Sequence, residues 1–133
     1  FPSYAVPAAP WRRDRDSLEL VMFDASTRGL LGAVASVTLL PQTASIALSI
    51  EDCAGHEVQG ALLSTGDAGV VRYVGASGLP TTQQTSTNAK GEAVVFNLVG
   101  SSVELTATLD GQVIVQRVVP IHADAVTGLT LAP

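Results

Sequence analysis

A chain of 133 residues suits one domain with a core of its own, with no need of a metal or disulfide to hold it. Only 14% of the residues are charged, against about 25% in an average globular protein, so the surface is either neutral and polar or covered by a partner. The net charge of −5 with 7 basic residues argues against nucleic acid, which needs clustered cations set against its phosphates.

Residues 1–16 form a distinct arm. Pro2, Pro7 and Pro10 oppose a helix or a central strand and hold the backbone extended. Half of the chain's aromatics, Phe1, Tyr4 and Trp11, sit on this arm. A plain linker rarely carries them, so docking on this domain or on a neighbouring chain is expected. The one basic cluster, Arg12-Arg13-Asp14-Arg15, is interrupted by an acid and reads as a solvated leader. No run reaches the ~18 apolar residues of a membrane helix, and no basic and apolar leader is visible at Phe1.

From Ser17 the pattern is β. Ile46, Leu48 and Ile50 alternate with Ala47, Ser49 and Glu51, and Val103, Leu105 and Ala107 with Glu104, Thr106 and Thr108. Period two reads as strands with one buried face. Strands are predicted over 17–24, 33–40, 45–51, 61–65, 70–74, 84–87, 92–98, 103–109, 112–119 and 126–131, with no helix. Asp110-Gly111 between Leu109 and Val113 predicts a type I′ hairpin, because both of its central residues need positive φ. Val94-Val95-Phe96 and Val113-Ile114-Val115 are apolar on both faces. An antiparallel sheet normally wets one face, so the outer side of a sheet is expected to be covered, by the arm for example.

One phrase occurs twice. Leu20-Val21-Met22-Phe23-Asp24 leads to Gly32-Ala33-Val34, and Leu48-Ser49-Ile50-Glu51-Asp52 leads to Gly60-Ala61-Leu62 with the same Asp-to-Gly spacing. Each copy reads as a strand that ends in an Asp-capped loop, closed by a glycine that frees φ.

From Ser45 to Pro133 the order of elements resembles the transthyretin-like sandwich of carboxypeptidase regulatory-like domains. Asp52-Cys53-Ala54-Gly55 with Gly60-Ala61 matches the first corner, and Thr87-Asn88-Ala89-Lys90-Gly91-Glu92-Ala93 the middle turn. Leu98 with Val103-Glu104-Leu105-Thr106-Ala107, then Leu129-Thr130-Leu131, match the later strands. The resemblance implies an all-β, immunoglobulin-like or transthyretin-like antiparallel sandwich. Residues 17–133 then form one domain, with 17–44 as an added hairpin and 45–133 as the transthyretin-like unit.

Chemistry is sparsely signalled. Gly75-Ala76-Ser77-Gly78 misses the spacing of a nucleophile elbow. Asp24 and Asp52 suit loop caps better than an acid–base pair. Two His and two Tyr are the ligand set of intradiol dioxygenases, built on a related sandwich, but His56 and His122 lie far apart and Tyr4 is in the arm. The hydrolase branch of the transthyretin fold ends in a catalytic tetrapeptide unlike Ala132-Pro133. Lys90, the sole lysine, sits in a turn, so no Lys–Asn isopeptide bond of the adhesin-repeat kind is expected. Asp14-Arg15-Asp16 is too sparse for calcium, and Cys53 is a single loop thiol that cannot form an intrachain disulfide.

No cofactor, metal or catalytic residue is therefore expected. The expected function is a structural or protein-interaction module of the cell envelope or extracellular space. Phe1, Tyr4 and Trp11 are its contact residues, toward a protein partner or a second copy. Two alternatives remain. One is a glycan- or peptide-binding adhesion module that uses the loop 75–88, with Ser77, Thr81, Gln83 and Gln84 as its hydrogen-bonding groups. The other is an accessory domain of a larger secreted enzyme.

Overall fold

The computed structural model describes residues 3–6, 25–66 and 68–133, and over 3–6 and 25–28 it describes the backbone alone. In chain order the elements are β1 (Ser3–Val6), α1 (Ala25–Val34), β2 (Ala44–Ile50), β3 (Leu62–Ser64), β4 (Val70–Val74), β5 (Pro80–Thr81), β6 (Glu92–Leu98), β7 (Ser102–Leu109), β8 (Gln112–Pro120) and β9 (Val126–Leu131). They form a six-stranded sheet, β1-β9-β2-β6-β4-β5, and a three-stranded sheet, β3-β7-β8. The architecture is an all-β sandwich. Its larger sheet is mixed, because β9 runs parallel to both of its neighbours, β2 and β1.

Alternation along the strands builds the core between the sheets. Ile46, Leu48 and Ile50 of β2, Val95 and Leu98 of β6, and Leu129 and Leu131 of β9 face Leu63, Val103, Leu105, Val115 and Val119 of the smaller sheet. Burying each such side chain contributes roughly 1.5–3 kcal/mol. Tyr73 of β4 reaches across one flank, its hydroxyl accepting the Leu63 N–H at 2.9 Å. On the other flank Arg117 of β8 donates to the Ala132 carbonyl at 3.2 Å.

A second cluster lies on the outer face of the larger sheet. Val94 and Phe96 of β6 and Val74 of β4 pack there against Ala35, with Leu31, Val37 and Leu39 around them. The cover expected for the two-sided strand β6 is thus α1 and the segment after it.

This corrects the second limb of the expected added hairpin. Residues 25–34 are helical and 37–40 carry no strand, while 17–24 lie outside the described residues. Leu30-Leu31 with Val34 is a short apolar run of the kind whose period cannot separate helix from strand. Gly29 and Gly32 within α1 cost about 1 kcal/mol each in a helix, so packing, not propensity, holds α1. Gly32 has no room for a side chain, because a Cβ there would lie 2.8 Å from Leu39 Cγ. The helix ends in a Schellman motif: Val37 N–H bonds Gly32 O at 2.9 Å and Ser36 N–H bonds Ala33 O at 3.2 Å, with Ser36 at φ 54°. Arg72 of β4 donates its Nε–H to the Ala35 carbonyl at 3.0 Å, fixing that end of α1 to the sheet.

A bulge in β6 fixes the connection to β2. The register slips between Ala44 and Ile46, and Asn97, at φ 60°, is the extra residue. Its Nδ2 donates to Thr38 O at 2.8 Å, and its Oδ1 accepts from Leu40 N–H at 3.0 Å.

The expected strand 84–87 is also absent. Thr87 spends its bonds on the Gly60-Ala61 corner instead. Its buried Oγ1 accepts from Ala61 N–H at 2.9 Å and donates to Val58 O at 2.7 Å, while Gly60 N–H bonds Thr87 O and Thr87 N–H bonds Ala61 O. Two short strands, β1 and β5, were not expected. The Asp110-Gly111 hairpin is present, with φ of 51° and 78°.

The middle turn places Gly91 at φ +67°, where an added Cβ would stand 2.4 Å from the Ile50 carbonyl oxygen. Gly78 is also left-handed, at φ +79°, but nothing lies within 4 Å of its Cβ position. Gly91→Ala should therefore cost roughly 3 kcal/mol or more, and Gly78→Ala only the backbone penalty of about 1 kcal/mol. Urea denaturation of the two variants measures the difference, and equal losses would refute the steric account.

Candidate functional site

The four residues of β1 are the part of the arm that the structure describes. Ser3, Tyr4, Ala5 and Val6 stand in parallel register with Val126, Thr127, Gly128 and Leu129 of β9. Strand β9 is therefore paired on both sides, by β2 and by β1. Phe1 and Trp11 lie outside the described residues, and Tyr4 is placed by its backbone, opposite Thr127.

The receiving strand is an uneven surface. Val126 and Leu129 are buried, and Gly128 is exposed, with nothing within 4 Å of the position a Cβ would take. Thr127 points inward beside Ile46, in register on β2, and is 1% exposed. Its hydroxyl has no hydrogen-bond partner among the described residues. Buried hydroxyls normally find one, and sequence pattern alone does not separate this Thr from its paired neighbours.

The stretch 75–88 is less open than a binding loop. Gly75 N–H bonds Leu79 O at 2.9 Å, which closes a tight turn with Ser77 exposed at its tip. Pro80 and Thr81 then pair with Val74 and Tyr73 as β5. Thr81 is half-buried, and its Oγ1 accepts from the Gln83 N–H at 3.2 Å. Gln83 is exposed and Gln84 half-buried. The described bond among these four groups is thus internal to the loop.

Asp52 acts as a loop cap. Its Oδ1 accepts from Ala54 N–H at 2.8 Å and His56 N–H at 2.9 Å, and its Oδ2 lies 3.5 Å from His56 Nδ1. The His56 N–H is the main reason its carboxyl titrates below the ordinary value; the Ala54 N–H and the nearby imidazole act in the same direction, partly offset by desolvation. Cys53 next to it is exposed. Asp24, the other copy, lies outside the described residues. Among the described residues no three His, Cys, Asp or Glu side chains converge, and no helix is long and apolar enough to cross a membrane.

No protein-family model and no curated protein matches the chain.

Two predictions follow from these side chains. Thr127→Val keeps the shape and removes the unpaired hydroxyl, so it should raise stability by about 1 kcal/mol; thermal and urea unfolding measure it, and a loss would show that the hydroxyl is satisfied. The Asp52 carboxyl, with its lowered folded-state pKa, stabilises above its unfolded value and loses that contribution as pH falls through the lowered one. Unfolding measured across the acid range should show a drop that Asp52→Asn removes, and a backbone amide signal of His56 that follows the same titration.

Proposed function

We propose that this chain is a non-catalytic structural or protein-interaction module of the cell envelope or extracellular space, of the transthyretin-like, carboxypeptidase regulatory-like kind. Its N-terminal arm completes the larger sheet by adding a strand, either to its own β9 or to that of a neighbouring copy. One observation carries the reading: β1 is paired to the edge of β9 through four register positions. An edge strand presents a row of unpaired N–H and C=O groups, and strand addition satisfies them with little demand on side-chain identity. The stretch from Val6 to Ala25 leaves the arm enough chain to reach more than one acceptor.

The thin charge of the surface supports the same reading, as does the opening strand β2 lying beside the closing strand β9. The loop 75–88 is partly consumed by its own hydrogen bonds and by β5, so it supports the glycan-binding alternative less well.

Removing residues 1–6 should lower the melting temperature by about 4 °C or more, the shift that accompanies ~1 kcal/mol in a domain of this size. A synthetic peptide of residues 1–12, added in excess, should restore it. Light scattering of the intact chain then tells self-pairing from exchange between copies. Unchanged melting temperature and mass after the deletion would reject any docking role for the arm.

A further inference from the structure

We propose that the slot between α1 and the outer face of the larger sheet binds one small, neutral, apolar molecule that carries a single hydroxyl or carbonyl oxygen. The slot measures about 390 Å³, within the roughly 300–1,000 Å³ of ordinary ligand pockets. Leu30 and Val34 of α1 line one side and Val94 and Phe96 of β6 the other, with Leu79 beside β5. Leu30 is 65% exposed and Leu79 42%, so the slot has an apolar mouth. Protein interiors leave few voids larger than a water molecule, and an apolar cavity of roughly 150 Å³ already takes up benzene.

Among the described residues the polar side chains of the lining are Ser45 and Glu92, and they define the ligand's chemistry. Ser45 is 2% exposed. Its neighbours Ala44 and Ile46 face the core between the sheets, so Ser45 projects to the outer face, into the slot. Its hydroxyl has no hydrogen-bond partner among the described residues. A ligand oxygen placed there would satisfy it. Glu92 sets the sign of the charge: its carboxylate is held by Asn88 Nδ2 at 2.9 Å, and the chain carries −5 overall. A carboxylate ligand would meet that charge in an apolar setting, whereas an alcohol or ester would not. The slot therefore selects a fatty alcohol or a similar neutral lipid fragment over the corresponding acid anion. Val126 at the start of β9, opposite Ser3 of β1, also borders the slot, but the test below reads uptake of a small molecule and not strand addition, so the two readings fail separately.

The test uses the intact chain and N-phenyl-1-naphthylamine, a neutral fluorophore, displaced in turn by 1-decanol, decanoate and decane. The fluorophore should bind one to one, and decanol should displace it at about tenfold lower concentration than decanoate. Ser45→Ala should weaken decanol about five- to tenfold, the worth of one hydrogen bond, and leave decane unchanged. Ala47→Phe, on the same face of β2, should fill the slot and abolish uptake. Leu30→Glu at the exposed mouth should weaken uptake and leaves the sheets untouched, which covers the case where Ala47→Phe does not fold. No uptake by the intact chain, uptake indifferent to Leu30→Glu, or equal displacement by alcohol and anion would each overturn the assignment.

Discussion

Burial of β6 on both of its faces is the constraint on which the rest of this structure rests. Val95 is fully buried toward the smaller sheet, and its neighbour Phe96, 1% exposed, is buried on the opposite side. A two-layer sandwich can satisfy only the first. The second requires a third layer, and α1 with the segment to Leu39 supplies it. A helix with two glycines in ten residues would not persist in water on its own. It persists because Phe96 and Val94 offer it an apolar floor, and because polar groups tie both ends of the following segment: Arg72 at Ala35, and Asn97 at Thr38 and Leu40. Those two side chains come from β4 and β6, the strands that α1 covers, so cover and covered surface hold each other in register.

The same layering leaves the larger sheet with edges of unequal character. At one end β5 is only two residues long and begins with Pro80, which cannot donate to a further strand. At the other end the four-residue β1 pairs with β9, a full six-residue strand. A long edge such as that of β9 invites strand addition, and a short one that begins with proline discourages it. The interaction reading follows from that asymmetry, not from any cluster of reactive groups.

Most of the strands from Ser45 onward were legible in the sequence because alternation and turn chemistry agreed there. Val70–Val74, Glu92–Leu98 and Val126–Leu131 have the predicted limits, and Asp110-Gly111 makes the hairpin its dihedrals demand. The misses share one cause, which is that tertiary contacts decided between local options. Leu30-Leu31 with Val34 could serve a strand or a helix, and the floor presented by Phe96 selected the helix. Residues 84–87 had strand composition, but Thr87 was drawn to the Gly60-Ala61 corner by three hydrogen bonds and to the Val58 carbonyl by a fourth. Of the candidate contact residues, only the backbone of Tyr4 could be placed. Pairing of a four-residue strand leaves almost no periodic trace, and its parallel partner lies at the far end of the chain.

The repeated Asp-to-Gly-Ala phrase shows how weak local identity is beside packing. In the second copy Asp52 caps its loop with two backbone N–H groups, Gly60 adopts φ +82°, and Ala61 is wholly buried against Thr87. In the first copy Gly32 and Ala33 sit inside α1. Gly32 is needed there for its missing side chain, since Leu39 occupies that space, and not for a left-handed backbone. One residue type thus answers two different demands at matched positions, dihedral freedom in one and close approach in the other. Equal spacing could not reveal which, because the deciding partners, Thr87 and Leu39, lie outside the phrase. A motif of this kind acquires meaning only with the surface it packs on, and for both copies that surface borders the two-sided sheet.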